Sequence, residues 1–177
     1  MKKAQQALRS IIATLLCAVI TATPAMADCA NVTIRTERML DLGTVRSLPA
    51  ARGFLQLKPR HGISISAQGV THTGPSGTAQ VVISGPVGSE VDLRVEAQRL
   101  SDHNTSRLTL VELIAYSGTL HQRIAPTGGH FTITLPARGD AEGQARRKVE
   151  FGAVMRFQDA QRQETARYRL TTRCVKS

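Results

Sequence analysis

The stretch SEVDLRVEAQ, residues 89–98, sends Val91, Leu93, Val95 and Ala97 to one side and Asp92, Arg94, Glu96 and Gln98 to the other. Side chains alternate with period two only along an extended chain, so this is a half-buried β-strand. The same period runs through RKVEFGAVMRF (147–157), which turns Val149, Phe151, Ala153, Met155 and Phe157 inward. HFTITLP (130–136) does so with Phe131, Ile133 and Leu135, and GISIS (62–66) alternates Ile63 and Ile65 with serines. In ARYRLTTRCV (166–175), Tyr168, Leu170, Thr172 and Cys174 share one face, opposite Arg167, Arg169, Thr171 and Arg173. Cys174 is thereby expected to face the core.

Turn residues punctuate these runs at Thr73-Gly74-Pro75-Ser76-Gly77, Gly85-Pro86-Val87-Gly88, Ser117-Gly118, Thr127-Gly128-Gly129 and Arg138 through Gly143. Glycine and proline supply backbone angles that β-branched neighbours resist, so each site is expected to be a reversal. Many short antiparallel strands with frequent turns predict an all-β chain folded as a single β-sandwich, immunoglobulin-like or pilin-like. RLTLVELIAY (107–116) breaks the pattern, with apolar residues on both faces and Glu112 among them. It fits a doubly covered strand, a bulged strand or a short helix. There is no internal repeat or linker, so one domain is expected.

Residues 1–27 have the layout of a secretory signal: Lys2, Lys3 and Arg9, an apolar run from Ile11 to Ile20, then Ala25-Met26-Ala27 before a predicted cut at Asp28. The apolar run is shorter than the roughly 20 residues a membrane-crossing helix needs, and no transmembrane segment is expected after cleavage. The exported domain, 28–177, is expected in the periplasm or outside the cell. Cys17 leaves with the signal, so the domain keeps Cys29 and Cys174, an even pair at its two extremes in an oxidising compartment. That predicts a disulfide. Its expected role is to pin the first strand beside the last.

Removing 1–27 leaves 20 basic against 13 acidic residues, a net charge of +7. The surplus favours anionic partners without specifying a fold. Catalytic, metal and cofactor chemistry find no support. Ser101-Asp102-His103 reads as a polar loop, no G-x-S-x-G elbow occurs, and the histidines at 61, 72, 103, 121 and 130 show no ligand spacing. The carboxylates Glu90, Asp92 and Glu96 fall on a solvated strand face. Arg138-Gly139-Asp140 matches a short adhesive tripeptide but also ordinary turn chemistry. No nucleic-acid partner is expected, because base stacking needs exposed aromatics. The domain has only Phe54, Tyr116, Phe131, Phe151, Phe157 and Tyr168, of which the last four point inward.

The C-terminal segment is the most basic surface. Alternation sends Lys148 and Arg156 outward on one strand and Arg167, Arg169 and Arg173 outward on the next. If those strands pair, the five cations make one positive face for an anionic polymer such as lipopolysaccharide or acidic polysaccharide. Charges on exposed or edge strands also serve simply to block strand-to-strand aggregation.

MLDLGTV (39–45), AQVVISGPVGSEVDL (79–93), VEFGAVMRF (149–157) and ARYRLTTRCV (166–175) together resemble a family of secreted bacterial β-sandwich domains, the domain of unknown function forty-four zero two, which has pilin-like and spore-coat-like relatives. The chain differs from that pattern at Leu42, at Val154-Met155 and at Ala166. The resemblance implies a secreted or periplasmic β-sandwich and supplies no catalytic residues. The function expected is a non-enzymatic structural or interaction module of the cell envelope with a protein partner, associated with a surface fibre as the pilin-like kinship suggests. The alternative is a freestanding binder of anionic polymers. Donor-strand assembly needs a free extended arm, and only Asp28 precedes Cys29 after cleavage. The last strand, 167–175, is therefore expected to complete its own domain.

Overall fold

The computed structural model describes residues 26–48, 51–66, 68–100, 108–158 and 163–175. Most of the signal segment and the Ser101-Asp102-His103 stretch lie outside the described residues. Among the described residues, twelve strands form two antiparallel sheets packed face to face. The five-stranded sheet runs β10 (Thr127–Thr134), β7 (Glu90–Arg99), β12 (Glu164–Cys174), β2 (Leu40–Ser47), β5 (Val70–Thr73). The seven-stranded sheet is built around β11 (Gln144–Gln158). Along one edge of β11 lie β6 (Ala79–Pro86) and β3 (Arg52–Lys58), end to end; along the other lies β8 (Leu108–Ser117). Beyond these, β1 (Thr33–Arg38) pairs with β6, β4 (Gly62–Ser66) with β3, and β9 (Leu120–Ile124) with β8.

The alternating residues meet between the sheets as their period requires. Val91, Leu93 and Val95 are fully buried, as are Val149, Phe151, Ala153, Met155 and Phe157 from the other layer. Phe131 of the five-stranded sheet meets Phe151 of the seven-stranded sheet edge to face, with ring centroids 5.6 Å apart. That geometry aligns the positive ring edge with the negative face of its partner.

The fifteen-residue β11 is longer than the short strands expected, and Gly152 marks where its neighbour changes from β6 to β3. A side chain there would collide with the Leu57 carbonyl and Pro59. Opposite Gly152 stands Ile114 of β8, on the outer face yet only 1% exposed. Residues 108–116 of RLTLVELIAY are thus both bulged, between Leu110 and Glu112, and locally covered on their second face. Gly128-Gly129 also departs from expectation. It is no reversal but a bulge at the start of β10, with Gly128 at φ +69°.

Cys29 and Cys174 form the predicted disulfide, with Cα atoms 5.6 Å apart. Its placement sharpens the expected role, because the first strand lies against the last from the opposite sheet. Cys29 leads through a short 3-10 turn into β1 of one sheet, whereas Cys174 ends β12 of the other. The bridge staples the two sheets together and does not join two paired strands. Further along the same two strands, the Thr36 hydroxyl of β1 donates to the Leu170 carbonyl of β12 at 3.3 Å. A disulfide of this kind fits an oxidising, exported environment.

Candidate functional site

The five cations expected on one face do not share it. Lys148 and Arg156 project from the seven-stranded sheet, Arg167, Arg169 and Arg173 from the five-stranded one, and the outer faces of a sandwich point in opposite directions. The reason lies in β11. Its edges are already filled by β8 on one side and by β6 and β3 on the other, so β12 finds no open edge there. It pairs instead with β7 and β2, as an inner strand of the opposite sheet.

Two of the five cations already have carboxylate partners. Lys148 Nζ lies 3.9 Å from Glu37 Oε2. Arg167 Nε donates to Asp41 Oδ2 at 2.8 Å. Asp41 is itself a structural hub: its Oδ1 accepts the Gly43 N–H at 2.8 Å, and its backbone pairs with Gly77. Gly43 sits at φ +66°, where a Cβ would lie 2.7 Å from His72 Nε2. Asp41 therefore holds a bend that only glycine enters without strain, and Arg167 holds Asp41.

Register rather than sequence assembles the remaining cations. Across β12 and β7, Arg173 stands directly opposite Arg94, Thr171 opposite Glu96, and Arg169 opposite Gln98. Across β7 and β10, Arg94 stands opposite His130. Three adjacent strands thus carry the row Arg173, Arg94, His130 on one outer face. Like charges directly opposite one another in a sheet oppose folding. Arg94 is offset by Glu96, 3.3 Å away, with both side chains about half exposed at 51%. Among the described residues Arg173 and Arg169 make no ion pair.

The row borders an open depression. Thr171 and Gly128 form a low floor between the longer Arg94, Glu96, Gln98 and Arg173, giving adjoining hollows of about 370 and about 580 Å³. Cys174 and Val175 close one end, which ties the hollow to the disulfide. Of the residues expected to bind an anionic polymer, Arg173 lines this hollow and Arg169 flanks it. Arg94 and His130 were not anticipated, because nothing local in the chain announces which residues will stand opposite one another.

No group of three or more His, Cys, Asp or Glu able to hold a metal ion occurs among the described residues. Arg138-Gly139-Asp140 closes its own loop: Asp140 Oδ1 accepts the Glu142 and Gln144 N–H groups at 3.1 and 2.9 Å. Ser64 and Ser66 sit exposed on edge strand β4, where their hydroxyls donate to the Gln56 and Phe54 carbonyls. No protein-family model, curated protein or solved structure matches the chain.

Proposed function

We propose that the chain is an exported, non-enzymatic interaction module of the cell envelope or secreted space, and that it binds an anionic polymer through the outer face of its five-stranded sheet. The observation that carries this reading is Arg173 set directly opposite Arg94, with His130 next in the row and an open hollow beside them. A sheet face arranged for stability alone would set opposite charges across the strands, as Arg167 and Asp41 are set. Arg169 and Arg173 replace the larger composite face, and Lys148 and Arg156 drop out as members of the same site. The finer fold, immunoglobulin-like or pilin-like, belongs to this proposal too. So does the kinship with secreted domains of the forty-four zero two type. The inner position of β12 supports a sandwich complete in itself over a donor-strand fibre subunit.

The test is retention on immobilised heparin and binding to lipopolysaccharide by the mature protein and by Arg94→Gln/Arg173→Gln. Wild-type binding is expected to weaken with salt as exposed charges are screened. The double variant should lose about tenfold in affinity at low salt while its melting temperature stays unchanged or rises. Salt-insensitive or undiminished binding in the variant overturns the proposal.

A further inference from the structure

The row across β10, β7 and β12 differs from a merely basic patch in one respect: the head of Arg94 is positioned. A Cβ on Gly128 would lie 2.9 Å from Arg94 Nη2, so the guanidinium rests in the space that this glycine's missing side chain leaves open. Glu96 holds it from the other side at 3.3 Å. The φ of +69° at Gly128 favours glycine, and a side chain there would displace the guanidinium from its present place. Neighbouring strands lie about 4.8 Å apart, so Arg173, Arg94 and His130 present three N–H donor groups over roughly 10 Å above the low floor at Thr171.

Resting on the polyanion reading, we propose that Arg94, Arg173 and His130 form a subsite for one tetrahedral oxyanion, a phosphate or sulfate monoester carried on the larger ligand, in preference to a carboxylate. A carboxylate has two coplanar oxygens and is satisfied by one guanidinium fork. A phosphate or sulfate monoester projects three terminal oxygens in three directions, enough for a donor from each strand. Its charge also offsets the repulsion between the two opposed arginines. Glu96 acts as an internal competitor. It orients Arg94 while the subsite is empty and has to yield when an anion enters, so neutralising it strengthens binding.

The experiment titrates the full mature protein with inorganic phosphate, sulfate and acetate at constant ionic strength, following the arginine Nε–H and histidine ring signals by NMR. Phosphate and sulfate are expected to perturb Arg94, Arg173 and His130 together and to bind about tenfold more tightly than acetate. Arg94→Lys keeps the charge but removes the fork, so it should abolish that preference. Glu96→Gln should tighten phosphate binding severalfold, and Gly128→Ala should weaken it without altering charge. Competition for inorganic phosphate by vesicles containing phosphatidic acid, or by heparin fragments, distinguishes a lipid headgroup from a sulfated glycan as the source. Equal affinity for acetate and phosphate, or an undiminished preference in Arg94→Lys, overturns the subsite. Either result leaves the polyanion reading standing, since that reading fails only if heparin binding is salt-insensitive or undiminished in Arg94→Gln/Arg173→Gln.

Discussion

The two ends of β12 carry the same side chain on the same face and put it to different use. At the β2 end Arg167 stands opposite Asp41 and is bound to it at 2.8 Å. At the β7 end Arg173 stands opposite Arg94 and makes no ion pair among the described residues. Both arginines are exposed and both follow from one alternating run, so what separates them is the strand alongside. A cation opposite a carboxylate that already holds a bend stabilises the fold. A cation opposite another cation weakens the fold slightly and leaves its charge for something else.

The strongest way to break that contrast is at the bridge, which adjoins the Arg173 end alone. Cys29 and Cys174 close a sequence separation of 145 residues, and removing such a link costs about 2–5 kcal/mol. Cys29→Ser/Cys174→Ser should lower the urea midpoint accordingly. Hydrogen exchange should then show residues near 170–175 losing protection before those near 164–168, because β2 still holds the far end. Heparin retention should fall as Arg173 loses its fixed place. Uniform loss of protection along β12 would show that the bridge supports both ends alike.

Asp41→Ala attacks the other end. It removes the acceptor of the Gly43 N–H and the partner of Arg167 together. A loss of about 1–3 kcal/mol is expected, most of it from the Gly43 bend, since an exposed ion pair contributes at most about 1 kcal/mol. Phosphate and heparin binding should be unaffected. Arg173→Gln is the mirror image, with binding weakened and stability unchanged or slightly raised. If Asp41→Ala also weakened binding, the two ends would be coupled and the contrast would fall.

The faces of these strands were legible from the chain, and their neighbours were not. Period two puts Val91, Leu93 and Val95 inside whichever strand lies beside them, and it does the same for Phe151 and Phe157. It is silent on whether β11 and β12 pair, and the composite basic face failed for that reason. Only Arg169 and Arg173 of the site could be named in advance. Arg94 was visible as an outward residue, but its standing between Arg173 and His130 is a matter of register over long separations. The bridge was legible because the two cysteines of residues 28–177 allow only one pairing between them. The sheets it joins were not, because Cys29 precedes the strand whose partner had to be known. At Ile114 the apolar residues on both faces were a true signal: the residue is outward and stands opposite Gly152, yet it is buried, as a doubly covered strand requires.

Between the two ends of β12 the inner face holds a smaller test. Thr172 Oγ1 is buried without a hydrogen-bond partner among the described residues. A buried hydroxyl that gains nothing in return for its lost water opposes folding, and valine has nearly the same shape. Thr172→Val should stabilise the domain by up to about 1 kcal/mol and leave anion binding unchanged, since Thr172 points away from the arginine row. Destabilisation on chemical unfolding would show that the hydroxyl is satisfied in solution.

Tyr168 gives the smallest effect, silent at neutral pH. It lies midway along β12, buried, and burial pushes its phenol above the ordinary value; nearby Arg99 opposes the shift and Glu164 adds to it. In the unfolded chain a tyrosine releases its proton near pH 10. The folded chain retains the proton to higher pH, so in the interval between the two values the unfolded state binds fewer protons and stability falls as pH rises. Below the unfolded value the phenol is neutral in both states and contributes no slope. Tyr168→Phe has no proton to lose, so its urea midpoint should decline less than that of wild type from about pH 10 upward, by at most about 1.4 kcal/mol per pH unit. Lysine and arginine titration is common to both proteins and cancels in the difference. Parallel declines in the two proteins would mean that the phenol reaches solvent, and that the middle of β12 is less firmly packed than its two ends.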